Sequence, residues 1–497
     1  MSTPTPPSAE SRSTTTPATE SPGRIGLPFQ RNRTPGFFAL LSLPSTAMGF
    51  ALSVQISALS WILTTQYELD IHDVGLVWAA GPLAGIIGQV LIGIISDKVW
   101  FWNGRRRPFI LIGGVLASLM LLALPHIDVI SSSLGVGGIL GVAIAVALTL
   151  DLAINVSFNP TRSIIADVTD EGDERTRGYT WMQTISGTFG VLAYAVGAIW
   201  DNYVLIYFGA VLVLLFSIVP TLFITEPRTL PGEDEVDEEA ADSGSLRGML
   251  VAIRPLWGFL VYDIYAMGRR IAGVEPESYY AEILCLLVTV LLVGQALLDR
   301  GRGSRANEDL VAFRRIIAAH SFSWIGIQTT FVFLFAYVDF ALPDLSDIDK
   351  GRVGSMAFLV LNAIGALLPA LALEPLAHRI GRVRTHTLAL ACMTVGYIGL
   401  WFFAGTPMAI FLLMAVVGIG WGAIVSLPFA IVSQRVKQHE MGRYMGLFNL
   451  SVVLPQLVVS LGIALFVSRV EDKSAIFLIS AGALALSTIA WSCVRED

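Results

Sequence analysis

Long apolar stretches alternate with short polar segments along almost the whole chain. Each stretch is close to the roughly 20 residues that a helix needs to cross a bilayer, or exceeds it. Six stretches lie at residues 36–63, 75–97, 108–126, 138–166, 179–200 and 203–225, and six more at 319–342, 353–377, 385–404, 407–433, 442–467 and 474–494. The pattern predicts an all-α membrane protein with two groups of six spanning helices.

Two further apolar segments lie in the gap between the groups, "PLWGFLVYDIYAMG" at 255–268 and "YYAEILCLLVTVLLVGQALL" at 279–298. The second is long enough to span a bilayer and the first is short. Since basic segments flank this insert, it crosses the membrane twice or not at all, so the count rises to 14 spans at most. The paired arginines Arg269 and Arg270 argue against exposing its tip outside. We therefore predict a helical hairpin within a cytoplasmic acidic linker.

The charges of the loops predict the orientation of the chain. Cytoplasmic loops of membrane proteins carry an excess of Lys and Arg. The loops "DKVWFWNGRRR", "HRIGRVR" and "SQRVKQHEMGR" are basic, whereas "QYELDIHDV" and "HIDVISSSLGVGG" lack Lys and Arg. The alternation places both termini in the cytoplasm of a multi-pass protein of the cell membrane.

Four regions follow from these patterns. The first is a Ser/Thr/Pro-rich cytoplasmic tail, which lacks the apolar core of a signal peptide and is expected to be disordered. The others are an N-terminal bundle, the linker with its hairpin, and a C-terminal bundle. Their bounds are 1–35, 36–225, 226–318 and 319–497.

Composition excludes several classes of function. The chain is 54% hydrophobic and 14% charged, whereas soluble proteins carry about 25% charged residues. The sequence forms no basic face of the kind that binds nucleic acid. We expect the protein to be embedded in the lipid bilayer. The three cysteines lie far apart in apolar runs, so neither a disulfide framework nor a metal site is predicted. Motifs for a phosphate loop, a zinc protease or a serine hydrolase were not found, so we expect no enzyme and no cofactor.

A polar stripe interrupts the fourth apolar stretch, in "TLDLAINVSFNPTRSIIAD". Its members, Asp151, Asn155, Asn159 and Arg162, are spaced 4, 4 and 3 residues apart, which places them on one helical face. At roughly 1.5 Å per residue, Asp151 and Arg162 are about 16 Å apart along the axis. Polar residues in membrane helices face the protein interior, and a carboxyl held away from water favours its protonated form. The stripe therefore predicts a proton site at Asp151.

Both halves of the chain repeat a Gly-Arg loop after their second span, "GIISD…NGRRRP" and "LEPLAHRIGRVR". Such repeats are typical of transporters whose substrate site lies between two halves. We expect a cytoplasmic gate formed by four residues of the first loop. They are Asp97, Arg105, Arg106 and Arg107.

The two bundles and paired loops resemble the major facilitator superfamily. The segments "GPLAGIIGQVLIGIISD", "GRRRPFI", "LDLAINVSFNPTRSIIAD" and "GLFNLSVVLPQLVVS" resemble the sucrose and related glycoside–proton symporters of plants, animals and bacteria. The resemblance implies that Asp151 accepts the proton and touches the sugar, and that Arg162 is its electrostatic partner. It also implies a substrate-facing Gln55, and possible roles for His72 and Asp339.

Further substrate contacts are expected from polar and aromatic residues within the spans. Asn155 and Asn159 belong to the stripe, and Asn449 and Gln456 are seven residues apart on one helix. Trp421 lies deep in its span, where an indole ring stacks on the apolar face of a sugar. Packing between helices is an alternative role for each of the amides.

The leading hypothesis is proton-coupled symport of a glycoside, such as sucrose or a related disaccharide, by a monomer working through alternating access. One alternative is a major facilitator antiporter of another small molecule, although the fifth span lacks the proline typical of drug antiporters. The other is a sugar-sensing receptor of the same fold, in which the long insert signals. The pairing of Asp151 with Arg162 argues against a sensor, which needs no proton site.

Overall fold

A computed structural model describes residues 26–85, 95, 99–135, 138–170, 173–228, 246–274, 278–299, 305–433 and 441–495. The N-terminal half contains eight named helices. They are α1 (Pro28–Arg31), α2 (Pro35–Thr65), α3 (Ile71–Trp78), α4 (Arg107–Ala123), α5 (Ile127–Leu134), α6 (Ile139–Val168), α7 (Asp173–Ile199) and α8 (Asn202–Phe223).

The insert and the C-terminal half follow. The insert contains α9 (Leu246–Ala252), α10 (Trp257–Ile271) and α11 (Tyr280–Leu298). The C-terminal helices are α12 (Arg305–Ala341), α13 (Asp347–Leu368), α14 (Glu374–Ile380), α15 (Arg382–Phe403), α16 (Pro407–Ser433), α17 (Met441–Val458), α18 (Ala464–Arg469) and α19 (Ala475–Ser492). Short π-helical turns, Pro369–Leu373 and Val459–Ile463, join α13 to α14 and α17 to α18.

The predicted all-α membrane architecture is confirmed. Within the described residues, 12 helices are long and apolar enough to cross a membrane. Eleven of them coincide with predicted spans, and the twelfth is α11 in the insert. The predicted span at 75–97 begins as α3 and continues as helix over residues 80–85, and most of its remainder lies outside the described residues.

Small residues let the N-terminal helices approach closely. A Cβ added at Gly113 of α4 would lie 2.2 Å from Ser157 Oγ of α6, and one at Gly114 would lie 2.0 Å from Ser217 Oγ of α8. Membrane helices associate through such small-residue contacts because lipid supplies no hydrophobic driving force between them. These glycines bring α4 against both α6 and α8, and thereby fix the position of the polar stripe.

The two bundles meet near the end that carries the loop before α3. The Trp61 indole donates to the Asp347 carbonyl at 2.8 Å, and the Ser57 and Ser355 hydroxyls are 2.6 Å apart. The Ser60 hydroxyl donates to the Val332 carbonyl at 2.8 Å. The charge pattern predicts that this end is the outer one, so the bundles are joined there.

The insert hairpin extends along the bundles instead of lying beyond one end. At its tip, the Arg270 guanidinium is 2.8 Å from the Asp73 carboxylate in α3. At its base, Arg314 of α12 donates to the Val251 carbonyl at 2.8 Å. Apolar side chains of α11 point away from the protein, with Leu284 61% and Leu287 60% exposed. The sequence left open whether the insert crosses the membrane twice or not at all, and in this structure the hairpin contacts both ends of the bundles.

The expected disorder of residues 1–35 does not hold for the part after residue 25. Helix α1 packs on the bundle, where Gln30 is fully buried. The Gln30 amide donates to the Thr225 carbonyl at 2.8 Å and accepts from the Thr225 N–H at 3.0 Å. Arg33 also forms a 3.2 Å ion pair with Glu174. These polar contacts order a segment whose composition alone indicates disorder.

Candidate functional site

Asp151 lies in the centre of the N-terminal bundle, with 4% of its surface exposed. Its carboxylate accepts a hydrogen bond from the Gln55 amide of α2 at 2.9 Å. Gly81, in the helical continuation of α3, faces the same carboxylate, because a Cβ there would lie 3.3 Å from both oxygens. Three helices thus converge on this carboxyl. Among the described residues its side-chain hydrogen-bond partner is Gln55, and none of their cations pairs with it.

The next residue of the stripe supports the same turn of α6. The Asn155 side-chain amide donates to the Asp151 carbonyl at 2.8 Å, and Asn155 is buried. Asn159 is half-buried one turn further on. The stripe thus places Asp151 and Asn155 together in the interior, as predicted from their spacing.

Arg162 is not paired with Asp151 in this structure. It is exposed, and its guanidinium lies 4.9 Å from the centre of the Phe158 ring. The Arg162 carbonyl accepts a hydrogen bond from the Tyr179 hydroxyl of α7 at 3.2 Å. Aromatic rings attract guanidinium groups through their quadrupole. The predicted electrostatic partnership therefore requires Arg162 to leave this ring.

In the C-terminal bundle, Trp421 belongs to an aromatic cluster. Its indole N–H donates to the Asn362 side-chain oxygen at 3.1 Å. Its ring lies edge-on to Phe331 and Trp324, with centroids 5.2 and 6.0 Å away. Our sequence analysis did not single out Asn362, although an amide within the apolar run "LVLNAIG" is a recognisable signal.

Gln456 of α17 donates to the Gln328 side-chain oxygen of α12 at 3.1 Å. Asn449 is half-buried on the same helix, and the structure describes no side-chain hydrogen bond for it. Gln328 was also missed, because a lone glutamine in a long helix has no periodic signal. The two glutamines join neighbouring helices of one bundle, which is compatible with packing as well as with substrate binding.

Tyr194 of α7 lies between the two bundles. It is 2% exposed, and its ring centroid is 5.9 Å from that of Phe358 in α13. Its hydroxyl is close to Ser53 of α2 and Asn362 of α13. Tyr194 therefore packs against the helix that carries Asn362, the partner of Trp421.

Two possible site residues lie at the predicted outer end instead. Asp339 forms a 2.8 Å ion pair with the buried Lys350. His72 lies with Asp70 and Asp73 in a group whose potential ligand atoms are within 4.8 Å of one another. The Arg270 guanidinium, 2.8 Å from Asp73 and 3.4 Å from the His72 ring, supplies positive charge there. The described polar contacts of Asp339 and His72 are therefore with residues of this end.

The predicted gate loop is organised by an acid that the sequence analysis assigned to the linker. Glu226 accepts hydrogen bonds from the backbone N–H groups of Arg105, Arg106 and Arg107 at 2.7, 2.8 and 2.7 Å. Burial raises the pKa of Glu226, and the three donors, which favour the ionised form, oppose the rise. A Cβ at Gly104 would lie 2.9 Å from this carboxylate, so glycine permits the approach.

The side chains of the loop bind the N-terminal bundle itself. Arg106 forms a 2.9 Å ion pair with Asp167 at the end of α6, and both residues are buried. Arg107 donates to the Thr221 carbonyl near the end of α8 at 2.6 Å. Asp97, the predicted acidic partner, lies outside the described residues. The acids that bind this loop within the described residues are Asp167 and Glu226.

Comparison with known proteins places these features in a family. A family model for the Major Facilitator Superfamily matches residues 41–460. Sucrose transport protein SUC4 of Arabidopsis thaliana is 25% identical over 491 residues, covering 85% of this chain and 83% of that protein. Sucrose transport protein SUT2 of Oryza sativa subsp. indica is 25% identical over 496 residues, covering 85% of each. The general alpha-glucoside permease of Schizosaccharomyces pombe is 26% identical over 282 residues, covering 51% and 49%.

Solved structures share the fold at low sequence identity. A mutant of the nucleoside transporter NupG superposes with a TM-score of 0.62 at 13% identity, covering 93% of this chain and 100% of that one. The POT family transporter PepTSo superposes with a TM-score of 0.61 at 12% identity, covering 92% and 97%. Because the family model spans most of the sequence and the helices adopt the same arrangement, the chain belongs to the Major Facilitator Superfamily.

Proposed function

We propose that this protein is a secondary active transporter that moves a glycoside together with a proton by alternating access. The observation that carries the proposal is the position of Asp151. It is a buried carboxyl in the middle of a membrane helix, bonded to the neutral Gln55 amide rather than to a cation. An ionisable residue at such a depth is expensive, and proton relays of transporters are a common reason for keeping one.

The relatives support a glycoside as the substrate. Their names specify sucrose transport and alpha-glucoside transport, and the sucrose transport proteins match across most of this chain. The candidate site offers suitable groups for a sugar. Gln55 and Asp151 supply hydrogen-bonding atoms for hydroxyls, and the Trp421 ring supplies an apolar surface.

Coupling follows from the competition between proton and cation for one carboxyl. While Asp151 is protonated, it is neutral and able to donate a hydrogen bond to a sugar hydroxyl. When Arg162 approaches, its positive charge favours the ionised carboxylate, and the proton leaves. Eleven residues, about 16 Å of helix, separate the two on α6. Their approach therefore requires a change of the helix near Pro160 together with an extended Arg162 side chain. Alternation between these two states exchanges the proton between opposite sides of the membrane.

The proposed topology has cytoplasmic termini in the cell membrane. The hairpin contacts both ends of the bundles and exposes apolar side chains of α11 along its length. These features favour a hairpin that crosses the membrane twice, for 14 spans in total. Two crossings keep the second bundle in the orientation that its loop charges predict.

Uptake into proteoliposomes tests the function directly. The purified protein is reconstituted and supplied with labelled sucrose, maltose or another disaccharide, with and without an inwardly directed proton gradient. Symport predicts accumulation above equilibrium only with the gradient, and its loss when a protonophore is added. Uptake that merely equilibrates under every gradient would exclude proton coupling, and absence of binding by every glycoside would exclude the substrate class.

A further inference from the structure

A cavity lies between the insert hairpin and the π-helical turn Val459–Ile463. Its volume is about 410 Å³, which is within the range of small-molecule pockets. Its walls come from α10, α11, α17, α18, α19 and the turn itself. They include the aromatic residues Phe259, Tyr262, Tyr279 and Phe466, together with Glu282 and Cys285.

Glycines hold the walls of this cavity in place. A Cβ at Gly462 in the π turn would lie 2.3 Å from the Tyr262 hydroxyl, so the ring of Tyr262 rests on the turn. At the deep end, a Cβ at Gly258 would lie 2.0 Å from the Thr289 hydroxyl, so α10 and α11 are in close contact there. π turns within α-helices are rare and are frequent at functional sites.

Two carboxylates beside the cavity have no hydrogen-bond partner in the described part of the chain. Both oxygens of Glu282, which lines the cavity, are buried and unpaired. Both oxygens of Asp263 are unpaired as well, and Asp263 is 5% exposed. Both acids are close enough to interact electrostatically with the Tyr262 hydroxyl and the Cys285 thiol, which line the same cavity. Buried carboxylates without partners are costly, and a cation bound beside them would remove that cost.

Two arginines near the cavity lie against aromatic rings. The Arg269 guanidinium lies 5.9 Å from the centre of the Tyr265 ring, and its Nε is buried without a partner. Arg469 lies over the Tyr279 ring at 5.7 Å and donates to the Tyr279 hydroxyl. Neither arginine forms an ion pair with Glu282 or Asp263 within the described residues.

We propose that this cavity binds an amphipathic cation, an ammonium group carried on an apolar body. Glu282, near the start of α11, marks the polar end, and Asp263 is a second acid, on the neighbouring helix α10. From Tyr279 to Thr289 the wall extends about 15 Å at roughly 1.5 Å per residue, which accommodates an alkyl chain of moderate length. The aromatic rings stabilise an ammonium through cation–π attraction. A free hydrophobic amine and a membrane lipid with an ammonium headgroup share this chemistry.

Protection of Cys285 from alkylation tests the site, because this cysteine is in the cavity wall. The protein carries C392S and C493S, so that Cys285 is the remaining cysteine, and is reconstituted in phosphatidylglycerol vesicles. Labelling by a membrane-permeable maleimide is timed with octyltrimethylammonium, octanoate or octanol. At about nine times its Kd, the ammonium should slow labelling about tenfold, because only unoccupied protein reacts. The anionic and neutral amphiphiles should leave the rate unchanged.

Variants that remove the charge of an acid distinguish a cation-binding site from an apolar groove that binds any amphiphile. Glu282→Gln and Asp263→Asn should each raise the half-protecting concentration at least about tenfold, whereas Glu374→Gln, an exposed acid on α14, should not change it. Thermal unfolding of each variant confirms that it is folded. The proposal would be overturned if all three amphiphiles protected Cys285 equally, or if the ammonium gave no protection. It would also be overturned if protection by the ammonium were unchanged in both the Glu282→Gln and the Asp263→Asn variant.

A second lipid composition identifies the source of the cation. In phosphatidylethanolamine vesicles, a bound lipid should already make the labelling of Cys285 slow, and octyltrimethylammonium should not slow it further. That result supports a resident lipid. Fast labelling that the ammonium slows as it does in phosphatidylglycerol supports a free amine. Sugar uptake does not enter either measurement, so the transport proposal and the cation proposal fail separately.

Discussion

The Gln55 amide donates a 2.9 Å hydrogen bond to the Asp151 carboxylate, and this contact joins α2 to α6 in the interior of the N-terminal bundle. An amide N–H donor stabilises the ionised carboxylate modestly, whereas burial opposes it. Opposed influences of this kind are what the proposed proton site requires. Asp167, by contrast, forms a 2.9 Å ion pair with the buried Arg106.

Asp151→Asn should uncouple transport from the proton. Asparagine has the shape of the protonated acid and can still accept the Gln55 hydrogen bond. We expect counterflow exchange of labelled sugar to persist while accumulation under a proton gradient is lost, together with the pH dependence of uptake. The control is Asp344→Asn, the same chemical change at an exposed loop position. Undiminished accumulation by Asp151→Asn would place the proton site elsewhere.

Arg162 should act through its charge and not through its contact with Phe158. Arg162→Ala should abolish accumulation, because the carboxyl then stays protonated throughout the cycle. Arg162→Lys should retain part of it, since a cation remains available to Asp151. Phe158→Leu removes the ring that holds the guanidinium at 4.9 Å and keeps the charge. Proton-driven accumulation by the three variants decides the question: loss in Phe158→Leu equal to that in Arg162→Ala would identify a packing role.

The sequence predicted what depends on periodicity within one helix. The 4-residue spacing brought Asp151 and Asn155 to one buried face, and the apolar lengths located the spans. It did not predict Gln55 as the partner of Asp151, because 96 residues separate them and only the packing of two helices fixes their distance. The family resemblance implied that Gln55 faces the substrate, but it did not imply the hydrogen bond to Asp151.

Contacts that cross regional boundaries were missed for the same reason. Glu226 follows the last helix of the N-terminal bundle, where composition begins to resemble an acidic linker. Its carboxylate nevertheless caps a loop about 120 residues earlier in the chain, through three consecutive backbone N–H groups. The sequence left the position of the hairpin open, because Arg269 and Arg270 argue against exposing its tip outside. Arg270 instead pairs with Asp73, so its charge is balanced within the protein.

The Arg106–Asp167 ion pair should brace the N-terminal bundle. Both partners are buried, so removal of one leaves the other charge uncompensated, at a cost of about 3–5 kcal/mol. Arg106→Gln should therefore lower the thermal unfolding midpoint markedly, and Arg106→Gln with Asp167→Asn should restore much of the loss. Additive effects in this double-mutant cycle would show that the pair does not act as a unit. Sugar binding should change only a few-fold as long as the variants are folded.

Trp421 should bind sugar through its ring and be oriented by Asn362. Trp421→Phe keeps an aromatic face and removes the hydrogen bond, worth about 1 kcal/mol, so the KM for sugar should rise about fivefold. Trp421→Ala also removes the stacking surface and should raise KM more than about tenfold. Trp401→Ala, at the end of α15, is the matched control. Equal KM values in the wild type and both Trp421 variants would exclude a sugar contact.

The direction in which the hairpin tip faces decides the topology. Ser133 lies at the end of α5, in a loop that the charge pattern predicts to be outer, and Ser278 lies next to the hairpin tip. Both are exposed and differ from cysteine by one atom. Native Cys493, exposed near the chain end, reports on the predicted cytoplasmic side once Cys285 and Cys392 are replaced by serine.

An impermeant maleimide applied to intact cells should therefore label Ser133→Cys and Ser278→Cys at similar rates, and should label Cys493 only after permeabilisation. Labelling of the hairpin tip follows from its position beside α3, because Arg270 and Asp73 are 2.8 Å apart and must share one side of the membrane. If Ser133→Cys reacts from outside and Ser278→Cys only from inside, the hairpin does not cross the membrane. If both react only from inside, the orientation inferred from the loop charges is reversed and the hairpin still spans.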